Sequence, residues 1–190
     1  QDKDPIGIQI LTDNMNAILR SNDVKIYYSP KSKGSIFDLG MAFMTEKELG
    51  VLNAEDLKRS QTHENTLVSR FIEKYAFFPK LGVSTMQSEL FGHASFRFQE
   101  FCEGGTFDFT WRGRNSYDLV DFGMAFMARN LCRLKINVTN VNELKPTPNK
   151  SYENVLLHIH KENMKNKVQS YMPEWRNRLM AHWLSCRGDD

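Results

Sequence analysis

The amino-acid sequence predicts a mainly α (α+β) fold, a helix-rich single domain with a few short strands. Three observations predict it. Apolar residues recur at helical spacing, as in Ile8, Leu11, Met15 and Ile18. Short runs alternate, as in Leu134, Ile136 and Val138 against Lys135, Asn137 and Thr139. Finally, Phe37-Asp38-Leu39-Gly40-Met41-Ala42-Phe43-Met44 is answered in the same frame by Val120-Asp121-Phe122-Gly123-Met124-Ala125-Phe126-Met127, with six positions identical.

The elements follow in order. Asp4 before Pro5 is a helix start, with a capping acid and then Pro at the first helical position, so residues 5–20 form an amphipathic helix. Val24 to Tyr28 is β-branched and aromatic, hence a strand. Ile36 to Leu49 reads as a helix stopped by Gly50. Asn53 caps another start, with Asp56 three residues on. Leu67, Val68, Phe71, Ile72 and Tyr75 make an apolar stripe ended by Pro79 and Gly82.

Residues 84–101 carry both signals. Phe96-Arg97-Phe98 alternates, while Met86, Leu90 and His93 fit a helix. Gly104-Gly105 is a turn. Phe107, Phe109 and Trp111 share one face of a strand, and Ser116 caps a helix over 117–131. After the strand at 134–139, Lys145-Pro146-Thr147-Pro148-Asn149 is a linker. It divides a core over 1–145 from a C-terminal helical pair over 146–190, at 151–170 and 174–186. Pro173 separates the pair, and Trp175, Leu179 and Trp183 line one side of the second helix. Helices outnumber strands, which favours this architecture over a regular β-α-β series.

The echo has context. A strand precedes each copy, and a basic, turn-prone loop joins strand to helix: Lys31-Ser32-Lys33-Gly34-Ser35 in one case, Arg112-Gly113-Arg114-Asn115-Ser116 in the other. Two similar buried helix starts are the simpler reading; a duplicated unit of about 83 residues is the alternative.

Bulk properties narrow the function classes. Hydrophobic residues at 41% and charged residues at 25% are ordinary for a globular chain and argue against disorder. The net charge of +2 does not by itself call for nucleic acid or a membrane. No apolar run is long enough to span a bilayer. Cys102, Cys132 and Cys186 are too few for a disulfide framework, so an intracellular setting is expected.

Four kinds of chemistry are open. Trp111, Arg112, Arg114 and Tyr117 set guanidiniums between aromatics on a turn, with Lys31 and Lys33 in the matching loop, a pattern suited to phosphate contact and base stacking. Asp38 and Asp121, each near a helix start after a strand and loop, could bind a sugar or nucleotide or act as nucleophile and base, with Asp13 nearby. An acid in a first helical turn also favours the helix dipole with no function attached. His158 with His160 and His182 with Cys186 are the closest His/Cys pairs, but they lack zinc-site spacing, so neither metal nor cofactor is expected. Gly-x-Ser-x-Gly, Walker and His-Glu-x-x-His motifs are absent, which speaks against familiar nucleophilic and zinc catalysis.

The leading expectation is therefore a non-enzymatic assembly subunit. Its partners are copies of itself or other protein subunits, and RNA or another polyanion held by Lys31, Lys33, Trp111, Arg112, Arg114 and Tyr117. Two alternatives stand beside it. One is an enzyme acting on a sugar-containing or nucleotide ligand through Asp38 and Asp121. The other is a secreted binding protein glycosylated at Asn137.

Overall fold

A computed structural model of the chain describes residues 5–45, 47–60, 62–77, 90–103, 106–113, 115–132, 134–148 and 151–166. The first half runs α1 (Pro5–Arg20), β1 (Asp23–Ile26), α2 (Lys33–Phe43), β2 (Glu48–Val51), α3 (Ala54–Arg59) and α4 (His63–Phe77). The second runs α5 (Leu90–Glu103), β3 (Thr106–Phe109), α6 (Ser116–Cys132), β4 (Lys135–Val138), a 3-10 turn (Val141–Glu143) and α7 (Tyr152–Asn166). The mainly helical α+β class is as the sequence predicts.

The two halves repeat one another, element for element. Leu11, Met15 and Ile18 bury the inner face of α1, and Ala94, Phe98 and Phe101 do the same for α5 at the same offset. Val24, Ile26 and Tyr28 turn inward from the first strand, as Phe107, Phe109 and Trp111 do from the third. Asn53 clamps the backbone of Tyr28, accepting its N–H at 2.9 Å and donating to its carbonyl at 2.6 Å. Asn140 clamps Trp111 in the same way, at 3.1 and 2.6 Å. Two fainter sequence echoes then stand out: Val51-x-Asn53-x-x-Asp56-Leu57 against Val138-x-Asn140-x-x-Glu143-Leu144, and Glu64-Asn65-x-Leu67 against Glu153-Asn154-x-Leu156. The unit is duplicated, against the simpler reading of two similar helix starts.

The halves meet at α2 and α6, where Gly40 and Gly123 let the two backbones touch. A Cβ on Gly40 would collide with Val120 O and lie 3.2 Å from Gly123 Cα; one on Gly123 would collide with Phe37 O and lie 3.1 Å from Met41 N. This reciprocity marks an internal two-fold relation. Around the crossing, Phe37 packs edge-on to Phe122 at 5.1 Å, while Phe43, Phe71 and Phe91 lie within 5.8 Å of one another. The last helix of each half packs on the first helix of the other, α4 on α5 and α7 on α1. Val155, Leu156 and Ile159 of α7 enter the same core cluster as the residues before 145.

Several local expectations give way. The helix expected over 36–49 ends at Phe43, because Thr45 turns back and bonds Ala42 O through both its N–H and its hydroxyl. The chain then forms β2, so Gly50 lies in a strand opposite Lys25 instead of stopping a helix. Each strand pair is parallel and spans a helix, giving two separate β-α-β units. Helical spacing prevails in α5, where Leu90, Phe91, Ala94, Phe98 and Phe101 are all buried. Asn53 makes no side-chain cap, being occupied with Tyr28. Ser116 donates instead to Glu64, and Asn115 caps α6 by accepting the Asp118 N–H at 2.9 Å. The turn at 104–105, Pro79, Gly82 and the helix at 174–186 lie outside the described residues. Among the described residues no helix is long and apolar enough to cross a membrane.

Candidate ligand site

The strand-loop-helix unit of the second half opens a cavity of about 560 Å3. Helix α5 supplies His93, Phe96 and Arg97, spaced three and four apart and therefore on one face. Helix α6 supplies Tyr117, Asp118 and Asp121 from its first turns. Asp108 comes from the face of β3 opposite the buried Phe107 and Phe109, Thr110 follows the strand, and Arg112 and Asn115 come from the loop.

Asp121 is the best-held group. Its side chain is 8% exposed, yet it meets two groups from α5: His93 Nε2 lies 2.6 Å from Oδ1, and Arg97 Nε forms an ion pair with Oδ2 at 3.4 Å without a hydrogen bond. Arg97 is itself held through its two terminal nitrogens and its ring contact. Its Nη1 reaches Glu100 at 3.0 Å, its Nη2 donates to Asp108 O at 3.1 Å, and its guanidinium lies 3.6 Å from the centre of the Phe107 ring. The Tyr117 ring stands edge-on to His93 at 5.1 Å. One turn earlier, Asp118 Oδ2 accepts the Arg112 N–H at 2.9 Å and Asn115 Nδ2 at 3.1 Å. Burial pushes the Asp118 carboxyl above the usual carboxylate range, with the neighbouring Asp121 charge adding to the effect.

The first half is an internal control. At the positions of His93, Arg97, Arg112, Tyr117 and Asp118 it carries Ile10, Asn14, Ser29, Gly34 and Ser35. Only the Asp121 position keeps its acid, Asp38, whose Oδ1 is 3.5 Å from Asn14 Nδ2 where Asp121 meets Arg97. The fold therefore forms without the His-Arg-Tyr set, so the scaffold does not require it.

The structure divides the residues singled out in the sequence. Arg112, Tyr117 and Asp121 come together in this cavity. Asp38 does not join them, since it faces Asn14 of α1, and Asp13 is exposed and accepts Gln9 Nε2. Trp111 offers no stacking face. It is 3% exposed, its indole packs against Phe122 and Tyr152, and its Nε1 donates to Glu153 at 3.0 Å. Lys31 is exposed and Lys33 partly so, while Arg114 lies outside the described residues. Glu64 accepts the Ser116 hydroxyl and, after burial itself, helps raise the Tyr28 phenol above its ordinary range. Among the described residues no cluster of His, Cys, Asp and Glu could hold a metal ion, and His158 pairs with Glu162 at 3.4 Å.

Sequence reasoning missed His93, Arg97 and Asp118 as site residues. The signal was there. With the offset of about 83 residues extended back through the preceding helix, His93 stands opposite the apolar Ile10, and Arg97 and Asp118 put charges where the first copy has the neutral Asn14 and Ser35. No family model matches the chain, and no curated protein or solved structure is detectably similar to it.

Proposed function

We propose that the second half binds a small sugar-containing or nucleotide ligand and that His93, held by Asp121, serves it as general base. The 2.6 Å His93–Asp121 contact on the wall of a cavity carries this reading, because the duplicate half dispenses with the histidine. In the neutral imidazole, an Nε2–H donated to Asp121 leaves the lone pair on Nδ1 to take a proton. Arg97 compensates the buried Asp121 charge and fixes its orientation, so its role is positioning. A base so placed contributes about 10²–10⁴ in rate. Asp38 has no part in the site.

The test is a thermal-shift panel of nucleosides, nucleotides, sugars and sugar phosphates, with any binder then followed by 1H and 31P NMR for conversion. Binding that survives His93→Gln, with conversion lost, supports the reading. A panel in which nothing stabilises the protein sinks it.

A second reading, the assembly subunit that touches RNA, draws on one observation. Glu64 acts on Tyr28, three residues before Lys31, and accepts from Ser116, four residues after Arg112. Trp111 is not part of that reading.

A further inference from the structure

We infer that the ligand of this cavity is a nucleoside monophosphate unit, one phosphate beside a ribose and a flat base. The inference rests on the ligand-site reading above and on the lining groups that still have bonding capacity.

Most are spent. Arg97 is engaged by Asp121, Glu100, Asp108 O and the Phe107 ring. Asn115 uses its amide oxygen and nitrogen on Asp118. Asp108 Oδ1 accepts Asn137 Nδ2 at 2.9 Å, and Thr110 pairs with Thr139. What remains is small and specific. Arg112 is exposed, and among the described residues its guanidinium makes no ion pair, although Asp118 feels its charge. The Tyr117 hydroxyl and Asp118 Oδ1 have no hydrogen-bond partner among the described residues. Phe96 lines the cavity with 44% of its surface open.

These leftovers select a ligand. Arg112 suits one phosphate, bound bidentately. The open carboxylate oxygen accepts from ribose hydroxyls, and the Phe96 face receives a ring. A triphosphate fits poorly, because its charges would face Asp108, Asp118 and Asp121 with one uncommitted cation to offset them. An uncharged sugar would leave Arg112 idle. The cavity, at about 560 Å3, lies within the range of small-ligand sites.

The unit can be a free nucleotide or part of a single strand. In the second case the exposed Lys31 and the partly exposed Lys33, at the start of α2, are the cations left for the flanking phosphates.

Calorimetry with AMP, adenosine, ATP and ribose 5-phosphate tests the class. AMP should bind about tenfold tighter than adenosine, ATP and ribose 5-phosphate. Arg112→Ala should bring AMP down to the level of adenosine, and Phe96→Ala should weaken AMP and adenosine alike. Both side chains are solvent-exposed, so both variants should fold. ATP or ribose 5-phosphate matching AMP, or an Arg112→Ala variant with unchanged AMP affinity, would overturn the inference. If sugars bind with no dependence on phosphate, this inference falls while the ligand site stands; if nothing binds, the site falls too. A 5′-phosphorylated penta-adenylate separates the two sources. Binding well above that of AMP, lost on changing Lys31 and Lys33 together to Ala, marks a strand. Binding equal to that of AMP marks the free nucleotide.

Discussion

Gly40 and Gly123 occupy equivalent positions in the two halves, and each lies against the backbone of the other's helix. Neither position has room for a Cβ, because the obstructing atoms are carbonyl oxygens and not side-chain ends that could swing away. Gly40→Ala and Gly123→Ala should each destabilise the fold by about 3 kcal/mol, at the upper end of overpacking costs. Gly34, near the start of α2 with no atom near its would-be Cβ, is the control. Gly34→Ala should be neutral or stabilising by up to about 1 kcal/mol, since alanine lowers the entropy of the unfolded chain. Urea unfolding at one pH checks all three, and equal effects at positions 34 and 40 would refute the close crossing.

The paired asparagines make a second, symmetric prediction. Asn53 and Asn140 each make two hydrogen bonds with the backbone of the second residue past the strand, Tyr28 or Trp111. Asn53→Ala and Asn140→Ala should cost about 2 kcal/mol each, the value of two partly buried bonds. The two losses should agree closely if the halves are structural copies. Asn→Asp should cost about as much, because a carboxylate accepts the N–H but cannot donate to the carbonyl.

At the candidate site, Arg97→Met leaves the Asp121 carboxylate, 8% exposed, with His93 alone. Breaking a buried pair from one side typically costs about 3–5 kcal/mol. His93 offsets part of that, so a loss of about 2–3 kcal/mol is expected. Adding Asp121→Asn to Arg97→Met should recover much of it, since no unpaired charge is then buried. Additive losses in the double variant would show that the contact does not couple the two residues.

Much of the fold was legible because it rests on local pattern. Buried helical faces such as Leu11, Met15 and Ile18, and strand faces such as Phe107 and Phe109, are written in the spacing of apolar residues. The short β2 strand was not legible. Its four residues include Gly50 and follow a strongly helical run, and only pairing with β1 makes them a strand. The duplication was half legible. Its best-preserved stretch is the one where two backbones must touch, while Asn53 and Asn140 are single polar residues whose common role shows only in three dimensions. The site was least legible, because His93 and Arg97 lie on a different element from Asp121 and no local motif announces that they will meet.

The remaining first-half acid makes a prediction about pH. Burial raises the Asp38 carboxyl from 3.8 to about 6, against a weak opposing hydrogen bond from Asn14. The folded protein therefore holds this proton to a higher pH than the unfolded chain does. Between about pH 4 and 6 the native state carries more bound protons, so stability falls as pH rises through that window and is flat above it. After a discount for partial exposure, the loss should be about 1–2 kcal/mol. Asp118, also raised by burial, contributes with the same sign. Asp38→Asn keeps the oxygen that Asn14 addresses and removes the charge. The variant should match the parent protein near pH 4 and exceed it in stability at pH 7, with the gap opening between those values. Urea unfolding across that range reads the gap directly; a gap that does not change with pH would mean that Asp38 ionises as freely in the folded protein as in the unfolded chain.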